Sequence, residues 1–251
     1  MRVLYDYQIF IEQKFGGISR YFFELMKGLQ GYDDIIISDF NIYLSGSDYA
    51  KELEQCKLNI WREFTGRKDL ARFINKTIFK KVLQSEKYDI YHPTYYNWPL
   101  VSHCKNKPLV ITIHDMIDEK FHTNIPSLQN LIEQRKRIVN RADKIIAVSE
   151  STRNDIIEAY GIKADKISVV YHGNSLNTIS SEQAELSIKQ RSYILFIGNR
   201  KGIHKNFTNL VKATVSILKK ENLKLVCGGG GDFTEKEKKI FYELGLENSI
   251  S

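Results

Sequence analysis

Leu109-Val110-Ile111-Thr112-Ile113-His114 is a short apolar run that ends on a polar pair, His114-Asp115, and Lys144-Ile145-Ile146-Ala147-Val148 repeats the form further along. Runs this short, apolar throughout rather than alternating, suit parallel strands buried on both faces. The stretch 127–141 between them has helical spacing, with Ser127 as the expected N-cap. Strand, helix, strand in that order is the repeating element of a parallel α/β sheet. Working outward, residues 3–9, 35–44, 88–92 and 167–171 supply further strands. Helices are expected at 18–29, with Tyr21, Phe22, Leu25 and Leu29 on the apolar side, and at 69–83, with Leu70, Phe73, Ile74 and Ile78 inward. Another runs from a Ser149 or Ser151 cap to Tyr160, where Gly161 stops it.

Residues 173–191 turn polar and read as a linker with a short helix near 182–188. A second alternation follows: strand 193–198, helix 206–220, strand 223–227, glycine loop 228–231, helix 234–244. The expected fold is α/β, with two Rossmann-like, doubly wound parallel-sheet domains at 1–172 and 192–251. The second offers two strands and two helices where a free-standing domain usually has about 100–150 residues. Residues 246–251 read as the approach to another strand, so this domain is expected to be incomplete and the chain truncated at its C-terminus. Such an end would leave an open strand edge near 223–227 and apolar helix surface around Ile240, Phe241 and Leu244, inviting self-association.

Of the 251 residues 42% are apolar, enough to bury a core without staples. The 37 Lys and Arg against 30 Asp and Glu give +7, which favours anionic partners or simply keeps the chain dissolved. Cys56, Cys104 and Cys227 show neither metal nor disulfide spacing, which fits a reducing cytoplasm. Asp6 interrupts the apolar stretch a leader would need, and no apolar run approaches the ~20 residues of a membrane span. Membrane contact is therefore expected to be peripheral. Residues 62–81 mix Arg62, Arg67, Lys68, Arg72, Lys76, Lys80 and Lys81 with Phe64, Phe73 and Phe79. That composition suits a helix resting on an anionic bilayer, and equally a solvated basic face over a core stripe. No nucleic-acid reader motif is present, so no nucleic-acid partner is expected. Neither a Walker loop, Gly-x-Ser-x-Gly nor His-Glu-x-x-His occurs, which removes P-loop, hydrolase and zinc-protease readings.

Ligands of doubly wound sheets sit at the carboxyl ends of the strands, and the candidate residues lie there. Gly16-Gly17 precedes a helix start, where bare backbone can approach an anion, though a tight turn needs the same residues. Arg20, one turn on, could join that site or be solvated. His114 closes a strand and could hydrogen-bond a hydroxyl or polarise a leaving oxygen; strand-end histidines also serve structure. Asp115, His92 and Tyr95 would line the same cleft. Arg200 and Lys205 flank the first strand-to-helix turn of the second domain, where two cations can hold a diphosphate without a metal. A basic surface turn would look the same.

Together these segments resemble the glycosyltransferase family 4 enzymes of the two-Rossmann-domain (GT-B) fold, most of all their capsule and O-antigen branch. The resemblance rests on six pieces in family order: Tyr5-Asp6 with Gly16-Gly17-Ile18-Ser19-Arg20; Asp89-Ile90-Tyr91-His92-Pro93-Thr94; Thr112-Ile113-His114-Asp115; the stretch from Ala142 to Ser151; Val170-Tyr171-His172-Gly173; and Phe196 to Phe207 with Arg200 and Lys205. It implies transfer of a sugar from a UDP- or GDP-sugar to a saccharide or lipid-linked acceptor, with retention and with neither metal nor cofactor. It implies that Gly16 and Gly17 form the loop beside the reacting groups, that His114 contacts the transferred sugar, and that Arg200 and Lys205 hold the donor diphosphate. The family's glutamate-containing donor-sugar signature has no counterpart before residue 251.

Overall fold

The computed structural model describes residues 1–38, 45, 47–53, 68–85, 87–121, 125–174, 193–200 and 202–251, without the side chains of 68, 127 and 203. The chain divides into two compact units, Met1–Ser175 and Leu176–Ser251. The expected linker 173–191 lies almost wholly outside the described residues, as does much of the strand expected at 35–44.

In unit one, β1 (Arg2–Tyr5) pairs in parallel with β2 (Ile36–Ile37) on one side and β3 (Ile90–His92) on the other. β4 (Val110–Ile113), β5 (Lys144–Ala147) and β6 (Ile167–Val169) form a second parallel set. A parallel bridge between Tyr91 and Leu109 joins the sets, giving the order β2-β1-β3-β4-β5-β6. The connections leave β1 in opposite directions, so the switch point falls between β1 and β3, where this topology opens a crevice at the strand ends. Leu4, Tyr5, Ile9, Phe22, Tyr91, Leu109, Ile113 and Ile145 fill the core. The apolar strand runs thus form a sheet buried as the sequence suggests.

Local chemistry moves several boundaries. Residues 3–9 are not one strand. The chain leaves the sheet at Asp6, whose carboxylate accepts from the Gln8 amide at 3.1 Å, and Gln8–Glu12 winds into a short helix, α1. α2 spans Gly17–Leu29 and α3 Asp48–Glu52. α4 (Lys68–Gln84) buries Ala71, Asn75, Phe79 and Leu83, while Leu70 and Phe73 stand in solvent. The helical period fits both stripes, and small Ala71 and Asn75 occupy the packed one. α5 is Trp98–Val101 and α6 Ile117–Phe121. α7 (Pro126–Arg141) starts one residue earlier than expected, because Pro126 at its first position has φ preset for a helix and Ile125 takes the cap position. α8 (Glu150–Tyr160) has the expected ends: the Ser149 hydroxyl accepts from the Thr152 amide, and Gly161 is left-handed at φ 65°.

Unit two pairs β7 (Tyr193–Ile197) with β8 (Lys224–Gly228) in parallel, with α9 (Phe207–Lys220) between them and α10 (Glu235–Leu244) after β8. The edge near 223–227 is not open. Leu225 and Cys227 donate to the carbonyls of Ser249 and Ser251, each at 2.7 Å, and Leu225 bridges Ile250 in parallel. Nor is α10's apolar side bare, since Phe241 is buried and Ile240 and Leu244 pack on the unit's core. Both corrections have one cause: residues 246–251 fold back along β8 and cover edge and helix together. The exposed apolar side chains lie on β7, where Tyr193, Leu195 and Ile197 share a face.

Candidate functional site

The crevice of unit one is organised by Asp6. Its carboxylate is fully buried and accepts from the Tyr91 hydroxyl (2.6 Å), the Gln8 side chain (2.5 Å), and the Thr94 hydroxyl (2.5 Å) and amide (3.1 Å). These bonds tie the end of β1 to the end of β3 across the switch point. Burial nevertheless raises its pKa above the ordinary value, against the pull of the donors.

Three histidines gather beside this hub. His92 is buried between Tyr5 and Phe22, with Nε2 3.0 Å from the Thr112 hydroxyl. The Tyr21 hydroxyl meets the same Thr112 oxygen at 3.2 Å. His114, at the end of β4, packs edge-on to Tyr21 at 4.9 Å and lies 13° from parallel with His172 at 5.8 Å. Its Nε2 is buried without a hydrogen-bond partner among the described residues. Burial, then the nearby His172 and Arg135, lower the His114 pKa to about 4; burial, then His114, lower that of His92 to about 3. Both rings are therefore neutral near pH 7. A neutral imidazole with an unspent ring nitrogen can exchange a hydrogen bond with a sugar hydroxyl without presenting charge.

The glycine loop sits at the start of α2. Gly16 is extended, and a Cβ there would fall 2.1 Å from Gln13 Oε1, which accepts from the Ser19 amide at 3.1 Å. Gln13 thereby caps the helix. A Cβ on Gly17 would meet nothing within 4 Å, so packing does not demand that glycine. Arg20 pairs with Glu24 at 3.8 Å along the helix. Asp115 is exposed and accepts from the Ile117 amide at 3.2 Å, starting α6. Tyr95, half-buried after β3, lines a separate cleft with Phe73 and Lys76.

Arg135 is a site residue that the sequence reading missed. It is buried on α7, pairs with Glu119 at 2.6 Å and Asp118 at 3.1 Å, and stacks over Tyr96 at 4.6 Å. It also reaches the Asp115 carbonyl at 3.4 Å, bracing the turn that follows His114. Its surroundings, Glu133-Gln134-Arg135-Lys136-Arg137, look like a solvated helix face, so no signal was available. His172 was quoted in a motif without a role, and only the fold brings it onto His114.

In unit two, a cleft of about 450 Å³ is lined by Arg200, Asn206, Thr208, Thr234, Lys236 and Glu237. Arg200 is buried, pairs with Glu237 at 3.0 Å, and donates to the carbonyls of Gly229 (2.5 Å) and Gly231 (2.6 Å). Its guanidinium thus fills the glycine loop, whose three residues 229–231 all have positive φ. Burial would raise the Glu237 carboxyl, but bonds from Thr234 and Arg200 hold it below the ordinary range. Lys205 is exposed, its stem running beside Gly198. The start of α10 is closed by a Thr234–Glu237 capping box, whereas α9 has no side-chain cap and Asn206 there is left-handed at φ 53°. An uncapped helix start beside cationic groups suits a phosphate. Among the described residues, no group of three or more His, Cys, Asp or Glu could hold a metal ion, and no helix is long and apolar enough to cross a membrane.

With both strand-end sites in view, comparison places the chain among known proteins. Residues 15–177 match Glycosyltransferase Family 4, and the chain belongs to that family. It is 24% identical over 204 residues to the uncharacterized glycosyltransferase MJ1607 of Methanocaldococcus jannaschii, covering 72% of this chain and 50% of that protein's length. In fold it resembles Anabaena Alr3699/HepE, solved in complex with UDP and glucose, with a TM-score of 0.64 at 19% identity over 100% of this chain and 68% of that one. The UDP-GlcNAc 2-epimerase of Neisseria meningitidis is also similar, with a TM-score of 0.57 at 14% identity over 100% of this chain and 71% of that one. Likeness at these identities establishes the two-domain GT-B fold class, and the family match separates the chain from the epimerases.

Proposed function

We propose that this chain serves a glycosyltransferase that moves a sugar from a nucleoside-diphosphate sugar to a saccharide acceptor. The observation that carries the reading is the cluster of His114, Tyr21 and His172 at the switch-point crevice, inside the family-matched segment. UDP is the favoured nucleotide, since a structural relative was solved with UDP and glucose. The acceptor is proposed to be lipid-linked, in surface polysaccharide assembly of the capsule or O-antigen kind, with the enzyme in the cytoplasm at the inner membrane face. Exposed Phe73 beside Lys76 and Lys80 on α4 supports that last step.

Transfer is proposed to retain the anomeric configuration without a metal. The uncapped start of α9, Lys205 and Lys236 would then carry the diphosphate charge. Arg200 would act by holding the glycine loop, and would meet phosphate directly only on leaving Glu237. Among the described residues the unit-two cleft offers groups for phosphate and none assigned here to ribose or hexose. Transfer by the 251 residues alone is therefore expected to be slow, because a donor misplaced by about 1 Å can lose a hundredfold in rate. The alternative is a sugar-nucleotide-binding chain without catalysis.

The test is calorimetry with UDP and GDP, followed by incubation with UDP-sugars and a lipid-diphosphate acceptor. Nucleotide binding weakened by Lys205→Ala, with product lowered by His114→Ala, supports the transferase. Nucleotide binding with no product under any condition supports the alternative, and absence of nucleotide binding overturns both.

A further inference from the structure

The cleft beside Tyr95 holds about 370 Å³ and is walled by residues of α1, α4 and α7 together with the segment after β3. That is room for a single sugar ring. Its wall includes the ring of Phe73, which is 68% exposed although it stands on a helix with a well-filled buried side. An aromatic face left in water beside a cleft suits the C–H face of a pyranose.

The polar groups of the wall divide into spent and unspent. Arg72 and Glu12 grip each other through two 2.9 Å bonds, which leaves them a fixed pair with little net charge. The Asn97 and Gln134 side-chain oxygens accept from the amides of Leu100 and Trp98, each at 3.1 Å, which fixes both amide orientations. Their NH2 groups have no acceptor among the described residues, and Lys76 has no carboxylate partner there. Nearly everything unspent is a donor, and one group is a full cation. A neutral sugar, with donors and acceptors in balance, would leave that surplus unmet. An anion would answer it.

We propose that this cleft is a subsite for a sugar ring carrying one anionic group, a carboxylate or a phosphate, within the acceptor. The substrate assignment rests on reading unit one as the acceptor side, but the binding itself does not. The test is amide-resolved NMR of the full chain titrated separately with glucuronate, glucose 6-phosphate, glucose and inorganic phosphate. Both charged sugars should shift Phe73, Lys76, Tyr95 and Asn97, and the tighter of the two identifies the anionic group. Glucose and phosphate should each bind about tenfold more weakly, the loss expected for one charge-assisted contact. Lys76→Gln should weaken the charged sugars about tenfold and leave glucose unchanged. Phe73→Ala should weaken every sugar and leave phosphate unchanged; both side chains are exposed, so neither change threatens the fold.

Glucose binding as tightly as glucuronate overturns the proposal, as does phosphate binding as tightly as either charged sugar. So does the absence of shifts at these residues. No nucleotide or turnover enters the experiment. A failed transfer assay alongside intact glucuronate binding would count against the transferase reading alone, and the reverse outcome against this subsite alone.

Discussion

At the strand ends of unit one, the buried groups are neutral imidazoles, His92 and His114, beside a carboxylate whose donors all come from hydroxyls and amides. At the strand ends of unit two, the buried groups are a charge pair, Arg200 and Glu237, laced to loop carbonyls. Burying a neutral ring costs little, whereas a buried charge must be paired and fully hydrogen-bonded. The first arrangement leaves a ring nitrogen unspent for a ligand. The second commits its guanidinium to holding the loop. The glycines follow the same division: 229–231 need positive φ to wrap Arg200, while Gly17 answers no packing demand.

The largest expected effect is in unit two. Arg200→Ala would strand Glu237 and free three loop bonds, costing on the order of 3–5 kcal/mol. Hydrogen exchange at the amides of Leu225 and Cys227 should then accelerate while unit one is unchanged. Unaltered exchange would mean that the pair does not hold this unit. Unit one should respond to pH instead. Below pH 6.5 the unfolded chain takes up protons that folded His114 refuses until about 4 and folded His92 until about 3. Stability is therefore full above about 6.5 and is lost as pH falls through that window, by the order of several kcal/mol. The raised Asp6 carboxyl works in the opposite sense and reduces the loss. Both tryptophans, Trp61 and Trp98, lie in unit one, so urea midpoints read by their fluorescence report on it. Midpoints that stay level from pH 7 to 4.5 would contradict buried neutral imidazoles.

Smaller effects separate the two glycine loops. Gly230→Ala puts a Cβ 3.0 Å from Arg200 Nη1 at φ 83°, and should cost about 1–3 kcal/mol. Gly17→Ala should be neutral or stabilise by up to about 1 kcal/mol. If Gly17 serves a ligand, that variant keeps its urea midpoint and loses turnover. Full turnover would make Gly16-Gly17 a turn and nothing more.

The sheet was legible because buried parallel strands write themselves as short apolar runs, as at 109–114 and 144–148, and because Ser149 and Gly161 mark one helix at both ends. The run 3–9 misled because Ile9 and Ile11 are as apolar as Val3 and Leu4, while the turn between them depends on Thr94, far away in sequence. The stripe of α4 misled because two faces fit one period. At the site, His114 was legible from its place at a strand end. Arg135 and His172 were not, since their partners are supplied by other helices and strands. Arg200 stood out as a cation, but which charge it meets, Glu237 or a phosphate, depends on a capping box that sequence alone does not orient.

The account turns on His114 being a neutral ring with a free nitrogen at the mouth of β4, and imidazole nitrogen NMR of the chain tests this directly. The His114 resonance should show a neutral ring from pH 8 to 5, with half-protonation near pH 4. In His172→Asn, with the neighbouring charge removed, the midpoint should move upward. A His114 midpoint at 6.5 or above, unmoved by that substitution, would contradict the neutral cleft and the sugar-contact role built on it.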